Sequence, residues 1–270
     1  MTSVYAEVIG DPIAHSKSPL IHNFWLNKLG IDAEYKRFHV RSGEVADYIA
    51  GVRADANWRG ANITIPHKVA VMEFVDDPFD VRGTVGAMNT IVRADDGSVW
   101  GTNTDAPGFL EPLTHKNLRD QRAIVIGAGG AAKAVLFALK SIGIGEVTIL
   151  NRSPEKAAAL LANFGLHGRA LPLDAPLEDA AVLVNASALG MTGQPPLPLD
   201  LAPLGPPAIV YDLVYAPPET RLLAMARERG LETIDGLHML VGQAAVAFAH
   251  FFGQPAPRQH DAELRALLLA

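Results

Sequence analysis

Lys68 and Asp105 are the residues of this chain best suited to moving a proton. Lys68 lies in Asn62-Ile-Thr-Ile-Pro-His-Lys68, and Asp105 ends Thr102-Asn-Thr-Asp105. Pro66 suits the start of a helix running to about Val75, which makes Lys68 its third residue. The positive end of a helix dipole disfavours an ammonium there, and a lysine tuned toward neutrality serves as a general acid or base. Asp105 acts in the opposite sense, by favouring the ammonium. It can orient Lys68 or accept a hydrogen bond from a ligand hydroxyl. Both positions also have plain structural uses: a first-turn lysine is often simply exposed, and Asp105 suits a helix N-cap before Ala106-Pro107.

Further polar residues extend the candidate set. Ser16 and Ser18 can donate to a carboxylate, although Ser18 before Pro19 equally suits a helix N-cap. Asn62, Thr64 and Asn89 stand in or beside apolar strands. Buried amides need partners, and a polyhydroxylated ligand would supply them. Gln243 sits in a helix that is apolar nearly all round, either as a satisfied core amide or as a residue aimed into a cleft. The histidines show no HExxH and no clustered spacing, and no GxSxG occurs. Neither a metal site nor a serine hydrolase is expected.

These residues need elements to hold them, and the clearest is Ala123–Ala132, AIVIGAGGAA. A short apolar run fits a buried parallel strand. It breaks at Gly127-Ala-Gly129-Gly130-Ala-Ala132 and continues as a helix-period stretch ending at Gly143. This is G-x-G-x-x-[GA] between a strand and a helix. Gly127 permits the tight turn, Gly129 carries no Cβ to keep a pyrophosphate away, and Ala132 lets the helix pack closely. The helix N-terminus offers N–H groups and a positive dipole end to an anion. A dinucleotide is expected. The next strand ends in Asn151-Arg152-Ser153, with no carboxylate to hold a ribose 2′-hydroxyl. Arg152 suits a 2′-phosphate, and Lys156 one turn on adds a second positive charge. NADP is favoured over NAD. Ser153 also suits an N-cap before Pro154.

The chain of 270 residues has a formal net charge of −6 and no cysteine. That balance argues against a nucleic-acid or anionic-membrane partner, and disulfides and thiol chemistry are excluded. No signal peptide and no apolar run of membrane-spanning length is seen, so a cytoplasmic location is expected. Strands are predicted at Val4–Ile9, Tyr35–Val40 and Gly60–Ile65, with helices after Ser18 and over Val45–Val52. Asp95-Asp96-Gly97 predicts a hairpin between Thr90–Arg93 and Ser98–Gly101. After a boundary near Asp105, strand–helix alternation restarts. Its strands are predicted at Glu146–Leu150, Ala181–Asn185, Ile209–Leu213 and Glu232–Ile234, with helices over Pro154–Phe164 and Thr220–Gly230. The proline-rich stretch from Gln194 to Pro207 reads as an irregular loop.

Taken together, GDPIAHSKSPLIHN, GANITIPHK, GAMNT, GTNTDAPG, IGAGGAA, NRS, VNASALGM, YDLVY and DGLHMLVGQAA resemble the shikimate dehydrogenase family in motif and order. The resemblance implies NADPH-dependent reduction of 3-dehydroshikimate to shikimate; a monomer or homodimer is expected. It implies two three-layer α/β domains. Residues 1–105 with 237–270 would form a substrate domain with a mostly parallel sheet, and 106–236 a doubly wound Rossmann-type NADP domain. It implies that Lys68 is the acid/base, with Asp105 beside it. Ser16, Ser18, Thr64 and Tyr215 would hold the substrate carboxylate and ring, and Asn62, Asn89, Asp105 and Gln243 its hydroxyls. Gly127, Ala128, Gly129, Gly130 and Ala131 would hold the pyrophosphate, and Asn151, Arg152, Ser153 and Lys156 the ribose phosphate. Leu213 and Gly236 would lie near the nicotinamide, and Asp80 on the cofactor side. Three residues depart from the family pattern: Lys156 where arginine is frequent, His67 where an apolar residue is usual, and His238 where glycine is common. A relative that also takes quinate or prefers NAD, and a non-catalytic NADP-sensing module, are the rival readings.

Overall fold

In a computed structural model, residues 4–270 are described. They form two compact units: the chain up to Gly108 together with Val241–Ala270, and Phe109–Leu240.

The first unit begins with β1 (Val4–Gly10), α1 (Ser18–Leu29), β2 (Ala33–His39), α2 (Val45–Arg53) and β3 (Trp58–Ile63). A short α3 (Val81–Thr84) precedes the hairpin β4 (Thr90–Arg93) and β5 (Val99–Thr102). The sheet order is β2-β1-β3-β4-β5. β1 is parallel to β2 and β3, and the hairpin adds two antiparallel strands at one edge. The parallel strands carry apolar residues on both faces, as a sheet covered by helices requires: Ala6, Val8, Ile9, Ala61 and Ile63 are all buried. α4 (Asp105–Leu110) follows β5 and leads into the second unit.

Three local expectations fail here. The stretch after Pro66 is not a helix but a turn, followed by a single 3-10 turn at Ala70–Glu73. The Lys68 carbonyl accepts from Met88 N–H at 2.8 Å, and Met72 N–H turns to the Val69 carbonyl at 3.2 Å. A tertiary contact thus takes the acceptor a helix would need, and β-branched Val69 and Val71 favour helix only weakly. The dipole argument for Lys68 therefore falls. Ser18 is the first helical residue of α1 rather than its N-cap; that place is held by Lys17, with no side-chain capping bond. Asp105 opens α4, but Asn103 Oδ1 accepts the Ala106 N–H at 3.1 Å. Because Asn103 takes the capping bond, the Asp105 carboxylate is left for other partners.

The second unit contains β6 (Arg122–Ile126), α5 (Gly130–Ser141), β7 (Glu146–Asn151), α6 (Pro154–Phe164), β8 (Gly168–Pro172), β9 (Val182–Asn185), β10 (Ile209–Asp212), α7 (Arg221–Glu228) and β11 (Glu232–Ile234). All six strands are parallel in the order β11-β10-β9-β6-β7-β8. That is the doubly wound order, reversing between β6 and β9, where such sheets bind ligands beyond their carboxyl ends. β8 has no predicted counterpart. Its sequence, GRALP, has no continuous apolar run, and it is an edge strand paired only to β7. The proline-rich loop before β10 is irregular, yet its Leu197, Leu199, Leu201 and Leu204 are buried in one cluster with Ile124, Leu183 and Val210. The loop thus covers sheet surface that a crossover helix would otherwise cover. α8 (Gly236–Phe252) begins in the second unit and ends in the first, where α9 (Asp261–Leu269), also without a predicted counterpart, follows it. Among the described residues no helix is long and apolar enough to cross a membrane. No group of three or more His, Asp or Glu there could hold a metal ion.

Candidate active site

In the first unit, Lys68 Nζ lies 2.6 Å from Asp105 Oδ2. Asp105 is buried, and Lys68 keeps 17% of its side chain exposed, so the lysine is the more accessible partner of the pair. The turn carrying Lys68 is anchored next door: buried His67 donates Nε2–H to the Val40 carbonyl at 2.7 Å. A carbonyl only accepts, so this bond fixes the tautomer. The departure at His67 is thus a core anchor for the segment that presents Lys68.

Asn89, just before β4, donates from Nδ2 to Asp105 Oδ1 at 2.9 Å. Its orientation is set by Thr104, whose N–H donates to Asn89 Oδ1 at 2.7 Å and whose hydroxyl accepts from Nδ2 at 2.9 Å. Gln243 on α8 is buried, with Oε1 3.5 Å from Asn89 Nδ2. Gly108 makes this possible, because a Cβ there would sit 2.5 Å from the Gln243 backbone nitrogen. The structure therefore joins Lys68, Asp105, Asn89 and Gln243 in one cluster. An ammonium held by a buried carboxylate beside amides can donate a proton to a ligand oxygen and orient neighbouring hydroxyls.

Other first-unit candidates lie in their own settings. Ser16 and Ser18 share a turn in which Ser18 N–H donates to Ser16 Oγ at 3.3 Å. The Ser16 carbonyl is gripped by Arg37, through Nε at 3.0 Å and Nη2 at 2.5 Å. Thr64 follows β3 and packs its methyl against Gly10. Asn62 is buried, and its amide bonds Tyr35, Thr90 and the Asn89 carbonyl. Asp80 is exposed, with φ at 53°, and its carbonyl accepts from Thr84. Tyr35, Thr90, Asn103, Thr104 and Arg37 escaped the sequence reading. The signal for the two threonines was their place beside Asn89 and Asp105 in otherwise apolar or glycine-rich segments. Tyr35 and Arg37, within an ordinary strand, gave none.

In the second unit, the glycine loop leaves β6 with Gly127 at φ 105°, a conformation that favours glycine. Ala128 follows, Gly129 is the N-cap of α5, and Gly130 and Ala131 open the helix. A Cβ on Gly129 would meet nothing within 4 Å, so the space above this residue is open to a bound group. Asn151 ends β7, and exposed Arg152 follows it. Asn151 Nδ2 donates to the Ser153 carbonyl at 3.0 Å, and Ser153 holds the N-cap place of α6 with no side-chain capping bond. Among the described residues neither Arg152 nor exposed Lys156 has a carboxylate partner. Two unpaired cations beyond a strand end, beside a helix N-terminus with an open glycine, fit a dinucleotide that carries an added phosphate.

The carboxyl ends of β9 and β10 are tied together. Buried Asp212 accepts from Asn185 Nδ2 at 2.8 Å and from the Thr220 hydroxyl at 2.6 Å, and burial pushes its carboxyl upward. Leu213 N–H donates to the Asn185 carbonyl at 3.0 Å. Gly236 packs against the Leu213 carbonyl, where a Cβ would lie at 2.4 Å. Tyr215 is half-buried, and burial raises its phenol above the usual range. His238 Nδ1 lies 3.1 Å from Asp235 Oδ1.

Comparison with known proteins gives the family. Residues 8–91 match the shikimate dehydrogenase substrate binding domain, 111–188 the shikimate / quinate 5-dehydrogenase family, and 236–263 the shikimate 5′-dehydrogenase C-terminal domain. The chain is 62% identical to the shikimate dehydrogenase (NADP(+)) of Sphingopyxis alaskensis, over 99% of this chain and 98% of that one. Its structure is similar to that of Thermus thermophilus shikimate 5-dehydrogenase in complex with NADP(H) and shikimate. That likeness has a TM-score of 0.88 and 36% identity, covering 98% of this chain and 100% of the other. It is also similar to the ligand-free 5-ketofructose reductase of Gluconobacter sp. strain CHM43, with a TM-score of 0.89 and 30% identity, covering 100% and 98%. The chain belongs to the shikimate dehydrogenase family.

Proposed function

We propose that this protein is an oxidoreductase that reversibly reduces 3-dehydroshikimate to shikimate with NADPH. The observation that carries the reading is the Lys68–Asp105 pair at 2.6 Å, with Asp105 buried and Lys68 partly exposed. NADPH, when bound, supplies a hydride to the carbonyl carbon. Lys68 donates the proton that the carbonyl oxygen then needs, and takes it back in the oxidation direction. Asp105 holds the ammonium through Oδ2 and keeps Oδ1 on Asn89, so it orients Lys68 without turning. Asn89 and Gln243 would bind ring hydroxyls, and Ser16, Ser18, Thr64 and Tyr215 the carboxylate side. The glycine loop, Asn151, Arg152, Ser153 and Lys156 would hold the cofactor, with Leu213 and Gly236 beside its nicotinamide and Asp80 on its side. On this reading the first unit takes the substrate and the second the cofactor.

The test is initial-rate assay of the pure protein with shikimate or quinate and NADP or NAD. Turnover of shikimate with NADP, far above the other three pairs, is expected. Comparable rates with quinate would widen the substrate class to that of a shikimate/quinate enzyme, and absence of turnover with every pair would leave a binding module. A cytoplasmic monomer or homodimer without a nucleic-acid partner is part of the proposal. Its net charge of −6 supports the last point, and sedimentation would give the oligomeric state.

A further inference from the structure

One buried carboxylate ties together three segments of the second unit. Asp212 ends β10 and stands in register with Asn185, which ends β9. Both are buried, and so is Thr220, the N-cap of α7. Asp212 Oδ1 accepts from Asn185 Nδ2 at 2.8 Å and from the Val214 N–H at 3.0 Å, and Oδ2 accepts from the Thr220 hydroxyl at 2.6 Å. Each side-chain partner is itself held. Asn185 Nδ2 spends its second hydrogen on the Leu189 carbonyl at 3.0 Å, and its Oδ1 takes the Ser187 N–H at 3.1 Å and hydroxyl at 2.7 Å, so the amide has a single orientation. Thr220 Oγ1 receives the Leu223 N–H at 3.3 Å, which leaves its own hydrogen for Asp212. The consequence falls on the peptide between Leu213 and Val214. A trans peptide is planar, with its N–H and C=O on opposite sides. Holding the Val214 N–H on Asp212 therefore sends the Leu213 carbonyl the other way. There it meets Gly236, where a Cβ would lie 2.4 Å from the Leu213 oxygen. The Leu213 N–H is held in turn by the Asn185 carbonyl at 3.0 Å. The peptide is thus clamped between a carboxylate and a glycine that lets the backbone approach.

We propose that Asp212 is a positioning residue for the nicotinamide end of the cofactor: its carboxylate, backed by Asn185 and Thr220, fixes the Leu213–Val214 peptide against Gly236. This rests on the reading that places Leu213 and Gly236 beside the nicotinamide. A scaffold alone does not call for a carboxylate here. Burying one costs free energy that an apolar side chain of similar size avoids, and an apolar cluster that includes Val210, Leu222 and Leu223 already closes this part of the core. What the carboxylate adds is direction, since its two oxygens take three donors from three segments. The glycine loop and Arg152 follow other strands, β6 and β7, so the adenosine side of the cofactor does not depend on this clamp.

The experiment measures binding of two probes by titration calorimetry, with kcat from steady-state kinetics on the same preparations. One probe is NADP. The other is adenosine 2′,5′-bisphosphate, which has the adenosine and its 2′-phosphate but no nicotinamide. Asp212→Ala should weaken NADP and lower kcat by roughly tenfold each, part of the ~10²-fold that a 1 Å misplacement can cost, and leave adenosine 2′,5′-bisphosphate little changed. Asp212→Asn should recover most of both losses. Its Oδ1 still accepts from Asn185 and Val214, and its NH₂ donates to Thr220 Oγ1 once that hydroxyl turns. Gly236→Ala, which pushes the same peptide from its other side, should show the same selective loss. Equal weakening of both probes by Asp212→Ala would overturn the proposal and make the residue a scaffold, and so would an Asp212→Asn variant as impaired as Asp212→Ala. If Gly236→Ala is selective while Asp212→Ala binds both probes as wild type does, only the positioning role fails. If neither variant is selective, the placing of Leu213 and Gly236 beside the nicotinamide fails with it, and if wild type binds neither probe the cofactor reading itself fails. Thermal unfolding identifies any variant that does not fold. Where Asp212→Ala does not, Thr220→Val, which takes one donor from the carboxylate, should show a smaller selective loss that Thr220→Ser restores; Thr220→Val without selective loss then overturns the proposal.

Discussion

Asp105→Asn changes few atoms and tests the core of the mechanism. Asp105 accepts two bonds at once, from Lys68 Nζ at 2.6 Å and from Asn89 Nδ2 at 2.9 Å. The Asn89 amide cannot turn to accommodate a new partner, because Thr104 N–H holds its oxygen at 2.7 Å. An asparagine at 105 therefore has one oxygen for two donors, and its NH₂ must face either Asn89 Nδ2 or the Lys68 ammonium. Loss of a charge-assisted bond costs about 1.5–3 kcal/mol. Lys68 keeps 17% of its side chain exposed, so hydration recovers part of that, and a net destabilisation of about 1–2 kcal/mol follows. The kinetic loss should be larger than this stability loss would suggest. With its ammonium unaimed, Lys68 loses orientation, for which a factor of about 10² in kcat is reasonable. Stopped-flow reduction and oxidation, with urea unfolding on the same preparations, separate the two effects. A variant that is destabilised but has kcat within threefold of wild type would falsify the claim that Asp105 aims the proton donor.

Other outcomes follow from the same geometry. Arg152→Ala should weaken NADP by about 1.5–3 kcal/mol and barely change NAD, since the guanidinium has no protein carboxylate to lose; equal losses by titration calorimetry would make it a scaffold residue. Ser16→Ala should raise the shikimate KM with little change in thermal stability, and Ser18→Ala should cost less than the ~1 kcal/mol of a lost cap, because α1 has no side-chain capping bond. A Ser18→Ala loss above that size in urea would contradict the helix start described here. His22 is buried without a partner, and burial lowers it from the 6.5 of a solvated imidazole to about 3. The unfolded chain then binds the proton that the folded one refuses, so stability rises with pH between about 3 and 6.5 and falls on acidification through that window. This contribution is about 2 kcal/mol smaller at pH 5 than at pH 7. Urea melts of wild type and His22→Phe at both pH values isolate it; identical pH slopes would show that His22 takes up its proton equally in the folded and the unfolded chain.

How much was legible in the sequence depended on whether a signal was local. The strand–turn–helix at Gly127–Ala132 is set by neighbours in the chain, and the structure places β6 and α5 around it. Asp95-Asp96-Gly97 likewise encodes its own hairpin, with Gly97 at φ 87°. Pro66 misled because its local preference for a helix start competes with a distant segment: Met88 N–H, two residues before β4, takes the Lys68 carbonyl, and His67 fastens the turn to Val40. The structure brings Lys68 within 2.6 Å of Asp105, the partner the sequence offered, but not on the helix start that was the reason given for its position. What presents it is a tertiary turn, and what holds it is a carboxylate left available because Asn103 caps α4. The same logic explains why Tyr35 was invisible. A tyrosine in a strand reads as packing, and only the register across β1 shows that its hydroxyl arrives at Asn62. Sequence spacing names the groups that can do chemistry; hydrogen bonds between residues far apart in the chain decide their orientation, and those are fixed only when the sheet closes. The residues that touch a ligand should therefore stand out in sequence motifs, whereas the bonds that aim them, such as Thr104 N–H on the Asn89 oxygen, become visible only in the fold.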